Sequence, residues 1–185
     1  MRVLGIDPGT RHLGWGVLDQ VGTRITHVAH GVIDTDTTQT LAPRLIEIDD
    51  ALLEVLALYK PEAAVVEGLF FAKDAQAASK LGHARGVVLL RLARACLPIF
   101  EIAPARVKRA VVGRGFATKE QVAMVMTSIL RLDSPPRADA ADALANAFAH
   151  LAMSPFTAAM EAAGALPAKR KPRPRRAPLK AQGKL

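Results

Sequence analysis

Apolar residues open the chain as a short run, Val3-Leu4-Gly5-Ile6, closed by Asp7, the pattern of a buried strand. After the turn residues Pro8-Gly9-Thr10, the segment Gly14-Trp15-Gly16-Val17-Leu18 reads as a second strand, and residues 25–33 mix apolar and polar positions as a third. Their short connections predict an antiparallel meander. The period then changes: Leu41, Leu45, Ile48, Leu52, Val55 and Tyr59 recur at alternating steps of four and three, marking an amphipathic helix with Pro43 near its start. A strand over Ala63–Glu67 follows, then a long helix from Lys73 to about Arg94 with Ala and Gly on its early turns, then a fifth strand over Leu97–Ile102. The remainder is helical. Thr118 and Gln121 have the spacing of a capping box, and the Ala-rich stretch from Arg137 to about Met153 favours helix. The pattern predicts an α/β domain over residues 1–156 and an ill-defined junction over 157–166, without internal repeats.

Composition narrows this picture. With 185 residues, half of them apolar, the chain can build one core of ordinary domain size. The net charge of +8 is unevenly spread, because eight Lys and Arg lie between Lys169 and Lys184 with no acid among them, leaving 17 basic and 17 acidic residues in 1–166. Interleaved with Pro172, Pro174 and Pro178, residues 167–185 are expected to form a disordered tail able to hold phosphate backbone in a salt-dependent way. No apolar run approaches the roughly 18 to 20 residues of a membrane span, and no secretory pattern opens the chain, so a cytoplasmic location is expected. Cys96, the lone cysteine, is expected to be a small buried apolar residue without a redox role.

The candidate chemistry lies in four carboxylates. Asp7 and Glu67 each end an apolar strand, and Asp139 and Asp142 sit in Ala-Asp-Ala-Ala-Asp-Ala, three positions apart on a helix. That spacing puts the pair on one helix face with Cβ atoms roughly 5 to 6 Å apart. Anions gathered beside apolar sequence need cations or hydrogen bonds to offset their desolvation. Carboxylates from several elements can hold two ions for phosphoryl transfer, and an all-oxygen set without His favours Mg²⁺ or Mn²⁺ over Zn²⁺.

Several motifs then carry a resemblance. Gly5-Ile6-Asp7-Pro8-Gly9-Thr10 with Gly14-Trp15-Gly16, Glu67-Gly68-Leu69-Phe70, Leu81-Gly82-His83-Ala84-Arg85-Gly86, Val107-Lys108 through Gly113, and Ala138–Ala145 occur in the order and spacing of the RuvC family of bacterial Holliday junction resolvases. The resemblance spans residues 1–153. It implies a ribonuclease H-like fold with a five-stranded mixed sheet flanked by helices, a homodimer, and an endonuclease that nicks a four-way DNA junction symmetrically, using two Mg²⁺ or Mn²⁺ ions per site. By position it implies Asp7, Glu67, Asp139 and Asp142 as catalytic metal ligands and Lys108 and Lys119 as basic residues near the scissile phosphate. It places Phe70 on unpaired bases, with Phe71, Lys73 and Arg85 as further DNA contacts. A branch-migration complex of RuvA and RuvB is the implied partner.

The chain departs from the family pattern in having Asp74 where Asn is usual, Ala77 where Ser or Thr is usual, and His83 where Gln is familiar. His83 is expected to serve packing or a dimer contact. Rival readings are an actin-like ATPase, which needs a second phosphate loop and more chain, a RuvC-like nuclease acting on RNA, and a module that binds branched DNA without cutting it. Negative charge beside phosphate disfavours the last.

Overall fold

The computed structural model describes residues 1–68, 75–113 and 115–162. Strands β1 (Arg2–Asp7), β2 (His12–Val21) and β3 (Arg24–Asp34) form the expected meander, followed by α1 (Leu41–Tyr59), β4 (Ala63–Glu67), α2 (Ala75–Arg94) and β5 (Ile99–Ile102). Helices α3 (Pro104–Val112), α4 (Lys119–Leu130) and α5 (Ala138–Ala162) complete the chain. The sheet order is β3-β2-β1-β4-β5; β1 pairs antiparallel with β2 and parallel with β4, and β5 is parallel to β4. The second strand is longer than its apolar run and the fifth shorter, because pairing with β3 and β4, not hydrophobicity alone, sets their ends. α5 likewise runs on past Met153.

Alternation along the strands divides the core in two. Leu4, Ile6, Ala64 and Val66 face α1 and α2, packing with Ile48, Leu52, Val88 and Leu92. Val3, Ala63 and Val65 face the other way, against Val107, Val122, Met126, Leu144 and Ala147 of α3, α4 and α5. Asp7 and Glu67 continue this second series, two residues beyond the last positions of their strands to face that side. They therefore emerge beneath α5.

Close approach of α5 depends on absent side chains. A Cβ on Gly5 would overlap the Ala143 carbonyl, and one on Gly14 the Asp139 carbonyl. Small residues here let helix backbone rest directly on strand backbone. Arg137, just before α5, donates to Asp34 at the end of β3, with Nη2 to Oδ1 at 2.8 Å, and His12 Nδ1 lies 2.6 Å from the same carboxylate. This pins the start of α5 to the sheet edge, and the Arg137 guanidinium holds Asp34 well below the usual carboxylate range.

The structure corrects one expectation about packing. Cys96 is exposed, because the chain turns through a left-handed conformation there (φ 56°) after leaving α2 and directs the thiol outward. The capping box at α4 is present in both directions: Gln121 N donates to Thr118 Oγ1 and Thr118 N donates to Gln121 Oε1. Among the described residues no helix is long and apolar enough to cross a membrane.

Candidate active site

Parallel pairing of β1 with β4 sets Ile6 beside Val66, so the next residues, Asp7 and Glu67, end their strands side by side. Their carboxyls share a hydrogen bond. Burial, then the negative charges of Glu67 and Asp142, push Asp7 up to about 8, while burial raises Glu67. With Glu67 as acceptor, the Asp7–Glu67 pair holds one proton between two oxygens that cannot both ionise at low cost.

Asp142 reaches this pair from α5. Lys119, on the first turn of α4, donates to Asp142 Oδ2 at 2.5 Å, and this bond is the foremost cause of its raised pKa. Lys108 of α3 lines the same small cleft with Glu67, Lys119, Val122, Asp142 and Asn146. Asp139 stands one turn earlier, with its backbone over Gly14, the residue paired with Asp7. All four acids are thus brought to one end of the sheet, although Asp139 is absent from the charges that act most strongly on Asp7.

Among the described residues, no three His, Cys, Asp or Glu side chains are close enough as they stand to hold a metal ion. Asp142 is turned to Lys119, and Asp7 to Glu67. The donor set nevertheless suits a hard divalent cation: partly buried carboxylate oxygens repel one another until protonated or neutralised. The protein by itself meets that need with one proton and one ammonium.

A pH dependence follows for the ion-free protein. Asp7 is protonated in the folded state up to about pH 8 but ionises near its ordinary 3.8 when unfolded, so the folded state holds the extra proton and stability falls as pH rises through that window. Asp7→Asn removes the charge, and in EDTA at pH 8 it is expected to raise the melting midpoint by about 5 °C, equivalent to ~2 kcal/mol. Parent and variant should converge toward pH 4; a midpoint for the variant at or below the parent's at pH 8 would refute the burial of this charge.

Arg85 needs correction. Expected among the DNA contacts, it is 5% exposed, donates from Nη1 to the Glu67 carbonyl, and pairs through Nη2 with Glu101 at 2.7 Å. Committed in this way, it fixes the end of β4 from behind and cannot reach a duplex. His83, by contrast, is exposed on α2. Phe70, Phe71, Lys73 and the departure at Asp74 lie outside the described residues, as does the basic stretch from Lys169.

One site residue was missed by sequence reasoning. Asn146 is 2% exposed, lines the cleft, and donates from Nδ2 to the Ile6 carbonyl at 3.1 Å, tying α5 to β1 next to Asp7. The signal was present, since Asn146 follows Asp142 by four and Asp139 by seven and so continues their helical stripe. A cavity of about 870 Å³ between β3 and the α4–α5 connection is lined by residues that include Arg24, His27, His30 and Arg131 and lies away from the acids. A convex polymer needs no deep pocket, so the shallow carboxylate cleft remains the better candidate.

Comparison with known proteins agrees with this geometry. The family model for crossover junction endodeoxyribonuclease RuvC matches residues 3–150. A crossover junction endodeoxyribonuclease RuvC of Sorangium cellulosum is 68% identical over 179 residues, covering 97% of this chain and 99% of that protein; one from Myxococcus xanthus is 48% identical over 92% and 90%. Among solved structures, Thermus thermophilus RuvC in complex with Holliday junction substrate superposes with a TM-score of 0.79 at 37% identity, covering 85% of this chain and 96% of that one. The yeast mitochondrial Holliday junction resolvase Ydc2 shares the fold at 13% identity and a TM-score of 0.54, covering 86% and 83%. The ribonuclease H-like arrangement expected from sequence is therefore the fold observed, and the chain belongs to the RuvC family of crossover junction endodeoxyribonucleases.

Proposed function

We propose that this chain resolves four-way DNA junctions by paired, metal-dependent nicks that leave 5′-phosphate and 3′-hydroxyl ends. The observation that carries the proposal is the meeting of Asp7, Glu67 and Asp142 at the ends of two parallel strands, with Lys119 and Lys108 on the rim. Asp7, Glu67, Asp139 and Asp142 are the residues to hold two Mg²⁺ or Mn²⁺ ions. Bound there, the ions supply a lowered-pKa water as nucleophile and stabilise the leaving oxygen.

The protein's own groups perform the remaining work. Burial beneath α5 keeps bulk water from screening the acids, and Asn146 and Arg85 hold β1 and β4 so that Asp7 and Glu67 do not drift. Lys119 neutralises Asp142 until other positive charge does so, and its ammonium is then free to meet a phosphate oxygen of the attacked strand. Lys108 faces the same phosphate from α3. Phe70 is the aromatic for unpaired bases at the crossover, with Phe71 and Lys73 as further DNA contacts. A homodimer supplies two identical sites, matching a junction opened toward two-fold symmetry. Action in the cytoplasm beside RuvA and RuvB belongs to the same proposal.

The test uses a mobile four-way DNA junction, a matched linear duplex and an RNA of the same sequence, each with Mg²⁺ and separately with Mn²⁺. Ligatable, symmetric nicks confined to the junction are expected. Junction binding with no cuts in either metal would replace this proposal with a binding module, and cleavage of RNA alone with the RNA-nuclease reading.

A further inference from the structure

Residues 104–119, which build α3 and its turn into α4, contain Arg106, Lys108, Arg109, Arg114 and Lys119 and no acid. Since residues 1–166 balance at 17 basic and 17 acidic side chains, the remainder of that region carries a surplus of acid. The positive charge is therefore local. α3 packs inward through Val107 and Val111, which leaves Arg106 and Arg109 exposed, and Arg114 lies outside the described residues.

The turn itself is held on both sides. Gly113, at φ 75°, ends α3, and Gly115 folds back over it, so that a Cβ there would stand 3.5 Å from the Ala105 carbonyl and 4.0 Å from Arg109 Nη2. Ala117 is buried, and Thr118 begins the capping box. Between these anchors Phe116 is 84% exposed, at the edge of a recess of about 450 Å³ that it shares with Val112, Ala117, Thr118 and Gln121. Three residues on, Lys119 is already bonded to Asp142. An exposed phenyl ring following Gly115, whose neighbour is Arg109, with the exposed Arg106 one helical turn before that arginine, combines the two elements that grip single-stranded nucleic acid: a stacking face and a cationic track.

We propose that the α3–α4 turn is a DNA-contact element in which Phe116 stacks on an unpaired base near the crossover while Arg106 and Arg109 hold adjoining phosphates; this rests on the junction-nuclease proposal above. The partner is polyanionic because residues 104–119 offer five cations and no acid, and it carries exposed planar groups because a phenyl ring gains little from phosphate alone.

The experiment compares full-length parent, Phe116→Ala, Phe116→Trp and an Arg106→Gln/Arg109→Gln double variant in EDTA. Each is titrated, over a range of salt, into a four-way junction carrying 2-aminopurine at the crossover, into linear duplex, and onto phosphatidylglycerol vesicles. Phe116→Ala is expected to weaken junction binding about ten-fold and to lose the fluorescence change of the unstacked base, with duplex affinity altered less than about two-fold and Trp restoring both. The double variant should reduce the slope of log affinity against log salt by about 2. Unchanged junction affinity and fluorescence in Phe116→Ala, together with an unchanged salt slope in the double variant, would overturn the inference while the parent's preference for the junction stood. A parent that prefers vesicles to DNA, losing that preference in the variants, would overturn it in favour of a membrane surface. A parent with no preference for the junction over duplex would instead sink the junction proposal on which it rests.

Discussion

Asp7→Asn is expected to lower the rate of junction cleavage by about 10³-fold or more while changing junction affinity less than about three-fold. The amide keeps the size of the carboxyl and can still hydrogen-bond to Glu67, so the fold has no reason to rearrange. What is lost is a carboxyl able to ionise at the convergence of β1, β4 and α5, where burial and neighbouring charge raise Asp7. Under the proposed metal site, Asn would offer divalent ions one ionisable ligand fewer, and the acidification of water they would supply would be weakened. Single-turnover cleavage and junction binding, measured on the same preparation, check the claim. Near-parental cleavage would exclude Asp7 from the chemistry.

The second large effect is expected from a residue with no chemistry of its own. Gly14→Ala should lower stability by about 3 kcal/mol, a fall of roughly 10 °C in melting midpoint, and slow cleavage by about 10²-fold in the fraction that remains folded. An added methyl at Gly14 would collide with the Asp139 carbonyl carbon and oxygen and the Ala140 nitrogen, all backbone atoms of α5 that no rotamer change can move aside. α5 would have to lift from the sheet, carrying Asp139 and Asp142 away from Asp7 and Glu67. Gly82→Ala provides the comparison, since its added Cβ meets nothing within 4 Å and lies inside α2. It is expected to leave the midpoint unchanged or raise it by a few degrees through better helix propensity. Equal melting curves for Gly14→Ala and the parent would contradict the close helix–sheet contact.

Much of this arrangement is legible in the chain because it depends on local rules. Short apolar runs marked β1 and β4 and ended each on a carboxylate, helical spacing paired Asp139 with Asp142, and Thr118 with Gln121 announced the start of α4. Arg85 and Cys96 were misjudged for the opposite reason. An Arg within a helix reads as a surface cation until Glu67 and Glu101 are seen to enclose it, and a Cys among apolar neighbours reads as buried until the chain turns outward beneath it. Asn146 was missed because its partner, the Ile6 carbonyl, lies on the first strand, far away in sequence.

The elements, their order and the residue types of the candidate site follow from local rules, since propensity, capping and hydrophobic period act over a few residues. Which charges meet is a matter of tertiary packing. The proton between Asp7 and Glu67, the ion pair of Lys119 with Asp142, the burial of Arg85 and the overlap that Gly14 avoids all follow from parallel pairing of β1 with β4 and from α5 lying on backbone. Electrostatic energy depends on distance and desolvation, and both are properties of packed elements far apart in the chain.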